Sequence, residues 1–204
     1  MNGLDAVLER SRELGFLGPG PVAGHVDHAR GFAAGVDAAP ERFLDLGSGG
    51  GVPGLVLAEL WPAAHATLLD AGERRSAFLT EAVDELGWSS RISVVRGRAE
   101  EVGHRSDLRG SFDLVVARGF GPPAVTAECG APFLRVGGRL VVSEPPADST
   151  GDAERWAETG IAVLGLAPLR EWREPFHYQA FVLERPCPDR YSRRVGVPAK
   201  RPLF

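Results

Sequence analysis

A glycine-rich segment is the part of this sequence best suited to binding a ligand. Asp45 and Leu46 lead directly into Gly47-Ser48-Gly49-Gly50-Gly51. Glycine lets the main chain turn sharply and lets a ligand approach it, since no Cβ is in the way. Asp70 follows 23 residues after Gly47, where a carboxylate can accept both hydroxyls of a ribose. A later pair, Ala99-Glu100, stands where such folds hold an adenine ring. Together these residues predict a site for a nucleotide-like ligand.

The residues around the glycine turn favour S-adenosylmethionine over a nicotinamide dinucleotide. A pyrophosphate binds at a helix N-terminus with exposed N–H groups, and Pro53 removes one donor near that terminus. S-adenosylmethionine has no phosphate and carries a cationic sulfonium, so an acidic residue such as Asp45 near the turn is favourable. A second interpretation of Asp70, as a helix-capping residue before Glu73, stays open. The pattern predicts a methyltransferase.

The elements that would position these residues alternate regularly along the chain. Apolar runs predict strands at 42–45, 66–69, 91–95, 112–117 and 139–143, and helical spacing predicts helices at 52–60, 73–86 and 123–134. Right-handed crossovers then give an α/β, Rossmann-like fold: a mostly parallel sheet with helices on both faces. Such sheets bind ligands at the carboxyl ends of their strands. Segments 161–166 and 178–183 are predicted to form an antiparallel pair at the sheet edge, and a turn is predicted at 136–138.

The chain is predicted to have two parts. Residues 1–40 are interpreted as an N-terminal cap of two short helices over the strand ends. Residues 41–204 are interpreted as the methyltransferase domain, which ends in a basic tail from about residue 185. The net charge is −4, and residues 185–204 contain five Arg and one Lys against one Asp, so the tail carries +5 and the rest −9. A basic patch of this kind suits contact with phosphate, although a merely solvated tail explains the charge equally well.

Other features argue against several classes of protein. The N-terminus has no basic stretch followed by an apolar run, so we expect no signal peptide. No apolar segment approaches the roughly 20 residues of a transmembrane helix. Cys129 and Cys187 lie far apart, which favours free thiols in a reducing cytoplasm over a disulfide scaffold. His25 and His28 have no neighbouring ligand residues, so we expect no metal site and interpret both as hydrogen-bonded cap residues.

Most of the chain from position 43 onward resembles the RsmG family, the bacterial 16S ribosomal RNA guanine-N7 methyltransferases also called glucose-inhibited division protein B. The resemblance rests on matches along the chain: Phe43 to Gly54 over the glycine turn, Thr67 to Asp70, Arg74-Arg75, Phe78-Leu79, Arg98 to Glu101, Phe112 to Arg118, and Arg190 to Leu203 in the tail. The tail is the most specific of these, because the general methyltransferase fold does not require it.

The resemblance implies a cytoplasmic enzyme acting on 16S ribosomal RNA or the small ribosomal subunit. It implies a cofactor pocket built from seven residues: Gly47, Ser48, Gly49, Gly51, Asp70, Ala99 and Glu100. Arg118 would face the methyl group and the target base, where an ion pair with Asp113 or Asp45 is the alternative interpretation. The candidate RNA contacts are the cations of the tail, Arg193, Arg194, Lys200 and Arg201.

Three segments depart from the family pattern, all on the expected substrate side. Residues 1–24 lack the usual Trp-Asn and Asn-Leu-Thr motifs, and the His-x-x-Asp-Ser-Leu segment is reduced to His25-Val26-Asp27-His28-Ala29-Arg30. After the fifth predicted strand, Ser143-Glu144 replaces a Lys-Gly pair, and Glu144 would repel phosphate. Two alternatives therefore stay open: a methyltransferase of a small molecule or protein, and a non-catalytic protein that binds S-adenosylmethionine.

Overall fold

The fold is an α/β sandwich built on a single seven-stranded sheet. The computed structural model describes residues 3–145, 155–173 and 175–204. Its elements are α1 (Gly3–Glu13), α2 (Val22–Gly31), β1 (Arg42–Leu46), α3 (Gly54–Leu60), β2 (His65–Asp70), α4 (Glu73–Glu85), β3 (Ile92–Arg96), α5 (Ala99–Val102), β4 (Phe112–Ala117), α6 (Pro123–Gly130), β5 (Leu134–Ser143), α7 (Glu158–Ala162), β6 (Leu166–Trp172), β7 (Tyr178–Leu183) and α8 (Val197–Lys200).

The strand order is β3-β2-β1-β4-β5-β7-β6. The first five strands of this order are parallel, and β7 pairs antiparallel with both β5 and β6. The predicted fold class, a mostly parallel sheet with an antiparallel edge pair, is confirmed. The winding direction reverses between β1 and β4, so the carboxyl ends of these two strands border the crevice in which open α/β sheets bind ligands.

The central strands are apolar on both faces because helices cover both sides of the sheet. In β1, Phe43 contacts the core on the side of α1 to α4, while Leu44 and Leu46 contact the core on the side of α6 and α7. β4 alternates in the same way, with Leu114 and Val116 on the first side. Because side chains alternate along a strand, Asp45 in β1 lies on the same side of the sheet as Phe43. Arg118, the residue after β4, is placed on that side by the same alternation.

Two local predictions were wrong. Residues 161–166 do not form a strand, because α7 continues to Ala162 and β6 begins only at Leu166. Ile161 and Leu164 are fully buried at helical spacing, and Gly165, with φ +87°, turns the chain into the strand. The turn predicted at 136–138 lies inside β5, where the pairing with β4 shifts register between Phe112 and Leu114. A bulge thus absorbs the glycines without ending the strand.

The two N-terminal helices pack on the same core as α3 and α4. Leu4, Val7 and Leu8 of α1 and Val26 of α2 belong to one buried cluster with Phe43. The Ser11 hydroxyl donates to the Gly50 carbonyl oxygen at 2.8 Å. The helices therefore reach the glycine turn, as a cap over the strand ends requires, while the boundary at residue 40 stays a prediction. No helix in the described ranges is long and apolar enough to cross a membrane.

Candidate active site

The glycine turn leaves β1 and folds back against the end of β2. The N–H groups of Gly47 and Ser48 both donate to the Leu69 carbonyl oxygen, at 2.8 and 3.0 Å. Gly47 has φ +77°, and a Cβ there would lie 2.7 Å from the Phe120 ring. Glycine is therefore required at this position both by the backbone conformation and by the close approach of the ring.

Asp45 lies beneath the turn rather than in the cleft. Its side chain is fully buried, and Oδ2 accepts a hydrogen bond from the first N–H group of α3, that of Gly54, at 2.9 Å. Oδ1 is buried with no hydrogen-bond partner among the described residues. Burial raises the pKa of Asp45 to about 7. The carboxylate thus occupies the helix terminus at which a pyrophosphate would have to bind, which is a stronger argument against a dinucleotide than Pro53 alone.

Asp70 ends β2 at the floor of a cleft beside the turn. Oδ2 accepts from the Gly49 N–H at 2.9 Å, and Oδ1 accepts from the Gly72 N–H at 2.7 Å and from Arg75 Nε at 3.0 Å. The N-cap of α4 is Gly72, with no side-chain cap hydrogen bond, so the helix-capping interpretation of Asp70 is wrong. Asp70 lines the cleft instead. Among the described residues Oδ2 has one hydrogen-bond partner, the Gly49 N–H, and it keeps acceptor capacity for a ligand hydroxyl.

The cleft has a volume of about 240 Å³ and a lining that is partly apolar. Its lining includes the predicted Gly47, Asp70, Ala99 and Glu100, and adds Phe120, Val125, Cys129 and Ala199. Burial raises the pKa of the Cys129 thiol, so this side chain is a neutral, small apolar group. The small apolar residues of the lining suit contact with an uncharged ring such as adenine.

Glu100 connects this cleft to the C-terminal tail. Its Oε1 accepts from the Gly196 N–H at 3.1 Å and from Arg98 Nη2 at 3.2 Å. Burial opposes ionisation, but these hydrogen bonds and that of its own N–H group lower the pKa of Glu100, so the carboxylate is charged. Ala199, three residues beyond Gly196, forms part of the cleft wall. The tail is therefore a structural component of the site, which no local pattern in the sequence indicates.

The tail is held against the body of the protein by internal hydrogen bonds. Arg109 donates to the carbonyl oxygens of Tyr191, Cys187 and Pro188 at 2.7, 2.9 and 3.0 Å. Arg193 binds the fully buried Glu128 through Nη2 at 2.6 Å and Nε at 2.8 Å. The segment is thus docked on the body of the protein, and contact of its exposed cations with phosphate stays a prediction.

The predicted RNA contacts of the tail divide into two kinds. Arg193 was predicted to contact RNA, but its guanidinium is committed to Glu128, because a buried carboxylate must be paired. Arg194, Lys200 and Arg201 are exposed, and none of the three has an ion pair with a described residue. These three remain the candidates for RNA contact.

Arg118 follows β4 directly, is half-buried and lines a second pocket. Neither Asp113 nor Asp45 pairs with it: Asp113 binds the Arg42 N–H and Arg135, and Arg118 Nη2 lies 2.7 Å from His25 Nδ1 instead. Burial lowers the pKa of Arg118, although attraction to Tyr178 and Asp45 opposes this, and the guanidinium keeps its charge. The predicted ion pairs are therefore wrong, and the charge is left without a carboxylate partner among the described residues.

The second pocket has a volume of about 310 Å³ and shares Phe120 and Gly121 with the cleft. Phe120 and Trp156 give it aromatic surface, and Arg118 gives it a cation. Glu144 was expected to repel phosphate here, but its carboxylate accepts from Arg155 Nε at 2.8 Å and Trp156 Nε1 at 2.7 Å and is almost fully buried. Its charge is compensated within the protein, so it does not count against an anionic partner.

Several of these residues could not be identified from the sequence. Phe120, Trp156 and Cys129 are isolated in the chain and join the site only where separate elements meet. His25 and His28 were interpreted as hydrogen-bonded cap residues, but His28 Nδ1 has no hydrogen-bond partner among the described residues. His25 contacts the nearby Gly18 carbonyl oxygen and also Arg118, 93 positions away. The only signal for it was its place in a segment that partly matches a family motif.

Comparison with known proteins gives a consistent result. Residues 27–149 match the model of the GidB family, described as rRNA small subunit methyltransferase G. The ribosomal RNA small subunit methyltransferase G of Moorella thermoacetica is 37% identical over 170 residues, covering 79% of this chain and 69% of that protein. The protein of the same name from Symbiobacterium thermophilum is 40% identical over 190 residues, covering 87% and 76%.

A solved structure agrees in fold at low sequence identity. The O-methyltransferase from Bacillus cereus, in complex with SAH, superposes with a TM-score of 0.61 at 16% identity, over 88% of this chain and 90% of the other. The fold is accordingly that of the class I S-adenosylmethionine-dependent methyltransferases. With most of its length matched in sequence, this chain belongs to the ribosomal RNA small subunit methyltransferase G family.

Proposed function

We propose that this chain methylates N7 of a guanine in 16S ribosomal RNA with S-adenosylmethionine as the methyl donor. The observation that carries the proposal is the adjacency of the two pockets. A nucleoside-sized cleft with a free ribose acceptor on Asp70 meets an aromatic pocket that holds an uncompensated arginine, and Phe120 belongs to both. Family membership supplies the class of RNA.

The residues of the cleft fit the proposed cofactor. Asp70 Oδ2 would accept the ribose hydroxyls, and the lining residues Ala99, Val125 and Cys129 would contact the adenine. The orphaned Oδ1 of Asp45 places partial negative charge beneath the glycine turn, on the side where the methionine part would lie. When bound, S-adenosylmethionine supplies an electrophilic methyl group on a sulfonium.

The chemistry at guanine N7 needs positioning more than proton transfer. N7 carries an in-plane lone pair and loses no proton on methylation, so no general base is required. The positive charge passes from donor to base, and the net charge of the site does not change. The protein therefore has to hold the base in line and exclude water, and alignment alone can lower a barrier by several kcal/mol, up to about 10.

Arg118 is suited to orienting the base or its backbone. Its guanidinium can donate to guanine O6, which leaves N7 free for methylation, or donate two parallel hydrogen bonds to a flanking phosphate. Phe120 offers a ring face for stacking, which contributes about 1–3 kcal/mol per base in single-stranded recognition. The exposed cations Arg194, Lys200 and Arg201 would add contacts to phosphate outside the pocket.

The test is methyl transfer from labelled S-adenosylmethionine to RNA from cells that lack this gene. We expect incorporation into 16S RNA or small-subunit particles, with 7-methylguanosine as the labelled nucleoside by mass spectrometry. The Arg118→Ala variant should bind the cofactor and transfer little, whereas Asp70→Ala should fail to bind it. Cofactor binding without incorporation into either RNA substrate would refute the proposal, and label in a protein or small molecule would redirect it.

A further inference from the structure

His25 joins the N-terminal cap to the acceptor pocket through two hydrogen bonds. Nδ1 lies 2.7 Å from Arg118 Nη2, and Nε2 lies 3.1 Å from the Gly18 carbonyl oxygen. The side chain is buried, with 8% of its surface exposed. Gly18 belongs to the connection between α1 and α2, so the contact spans three separate parts of the chain.

The chemistry of the two partners fixes the state of the imidazole. A carbonyl oxygen only accepts hydrogen bonds, so Nε2 must carry a proton. A guanidinium only donates, so Nδ1 must present its lone pair. Protonation of Nδ1 would place a donor and a positive charge against Arg118. The geometry therefore requires the neutral ring with its proton on Nε2.

In the part of the chain that the structure describes, the contact with His25 is what holds the Arg118 side chain. Its guanidinium forms no ion pair with a described carboxylate, and its only side-chain hydrogen bond there is to His25. An arginine side chain has several rotatable bonds, and ordering such a chain costs up to about 2 kcal/mol. An acceptor at Nδ1 removes part of that cost before the base arrives, which is the general benefit of a preorganised site.

We propose that His25 is the positioning residue of the acceptor site, which holds Arg118 towards the pocket as a neutral imidazole donating from Nε2 to Gly18. The proposal rests on the function proposed above. It assigns the N-terminal cap a role in catalysis, because a helix outside the cofactor domain orients the residue that meets the substrate.

Two substitutions separate this role from a merely structural one. Asparagine places its carbonyl oxygen near the position of Nδ1, so His25→Asn keeps the acceptor for Arg118 and loses the donor to Gly18. Glutamine places its amide nitrogen near the position of Nε2, so His25→Gln keeps the donor to Gly18 and loses the acceptor. Positioning of Arg118 predicts that Asn retains more activity than Gln, whereas tethering of the α1–α2 connection predicts the reverse order.

The expected loss for His25→Gln is about 10- to 100-fold in kcat/KM for RNA, the value of a hydrogen bond to a charged group. The dissociation constant for S-adenosylmethionine should change by less than about twofold, since His25 does not line the cleft. In an Arg118→Ala background, His25→Gln should lower kcat/KM for RNA by less than about a further twofold, because the two residues act as one unit. Fully multiplicative losses would overturn the proposal.

His28 provides a matched control one turn further along α2. Its Nδ1 has no hydrogen-bond partner among the described residues, so His28→Asn should retain no more activity than His28→Gln. The ¹⁵N spectrum of histidine-labelled protein gives a readout independent of activity, in which His25 should show a protonated Nε2 and an unprotonated Nδ1. The opposite tautomer would overturn the inference even in an active enzyme. If wild-type protein methylates no RNA, the proposed function fails, and the spectrum still decides the state of His25.

Discussion

Replacement of Arg193 by alanine should show how strongly an internal ion pair holds the C-terminal tail on the body of the protein. Arg193 holds Glu128, which is fully buried in α6, through two side-chain hydrogen bonds and through its own N–H group at 2.9 Å. Removal of the guanidinium leaves the Arg193 N–H group as the remaining contact of Arg193 with Glu128, so the buried carboxylate loses its ion-pair partner. The variant therefore tests whether the tail is docked by an internal ion pair.

The magnitude follows from the burial of the two partners. Loss of one partner of a fully buried ion pair costs about 3–5 kcal/mol. The Arg193 side chain is 27% exposed, so solvent compensates part of the loss and we expect about 2–3 kcal/mol in the free energy of unfolding. Undocking also moves Ala199 from the cleft wall and removes the Gly196 hydrogen bond to Glu100. Loss of one hydrogen bond predicts about 3- to 10-fold weaker cofactor binding.

Urea denaturation and calorimetric titration with S-adenosylmethionine measure the two effects. Arg194→Ala is the matched control, because the neighbouring arginine is exposed and should change neither quantity. A double variant with apolar residues at 128 and 193 should recover most of the stability. Equal stability of the Arg193 and Arg194 variants would refute the buried ion pair. A stability loss with unchanged cofactor affinity would refute the tail as part of the cleft.

Three further predictions concern the cleft, the turn and the exposed tail. Asp70→Asn should weaken S-adenosylmethionine binding about 10-fold or more, measured by calorimetry, since it removes a charged acceptor; unchanged affinity would mean that the ribose lies elsewhere. Burial raises the pKa of Asp45 from 3.8 to about 7, so the wild-type protein should lose stability as pH rises from about 4 to 7. Over this range Asp45→Asn should become more stable relative to wild type by up to about 4 kcal/mol, as measured by urea denaturation. Parallel curves of unfolding free energy against pH for the two proteins would contradict this. Joint replacement of Arg194, Lys200 and Arg201 by alanine should reduce the slope of log RNA affinity against log salt concentration by about 2, as measured by filter binding. An unchanged slope would mean that these residues contact no phosphate.

Much of the fold could be predicted because its signals are local. Strands buried on both faces read as apolar runs, and the glycine turn and Asp70 follow strands that the topology rules place side by side. The same rules failed at 161–166, where a short apolar run fitted a helix as well as a strand. Length and local composition could not separate the two, and the burial of Ile161 and Leu164 at helical spacing decided the outcome.

Half of the predicted cofactor residues line one cleft, and their contacts with a cofactor stay a prediction, whereas the second pocket is lined mostly by residues that the sequence did not single out. The cofactor residues cluster near two strand ends, so their spacing carries information. The acceptor pocket draws single residues from distant segments, such as Phe120 and Trp156, and a lone aromatic residue in a sequence looks the same in a core as in a pocket. Glu144 was misjudged for a related reason, since its carboxylate is paired with Arg155, which lies 11 residues further along the chain.

The sequence by itself determined the type of fold, the place of the cofactor turn and the family, because these depend on periodicity and on motifs that lie close together in the chain. Only the tertiary structure decided what each charged group does. Arg193 and Arg194 are adjacent and chemically identical, yet one pairs with a buried carboxylate and the other faces solvent. The free energy of a charge depends on its burial and on the partner within a few ångströms, and both are properties of the folded chain. For the same reason His25 and Arg118, 93 residues apart, become one unit only when α2 packs beside the end of β4.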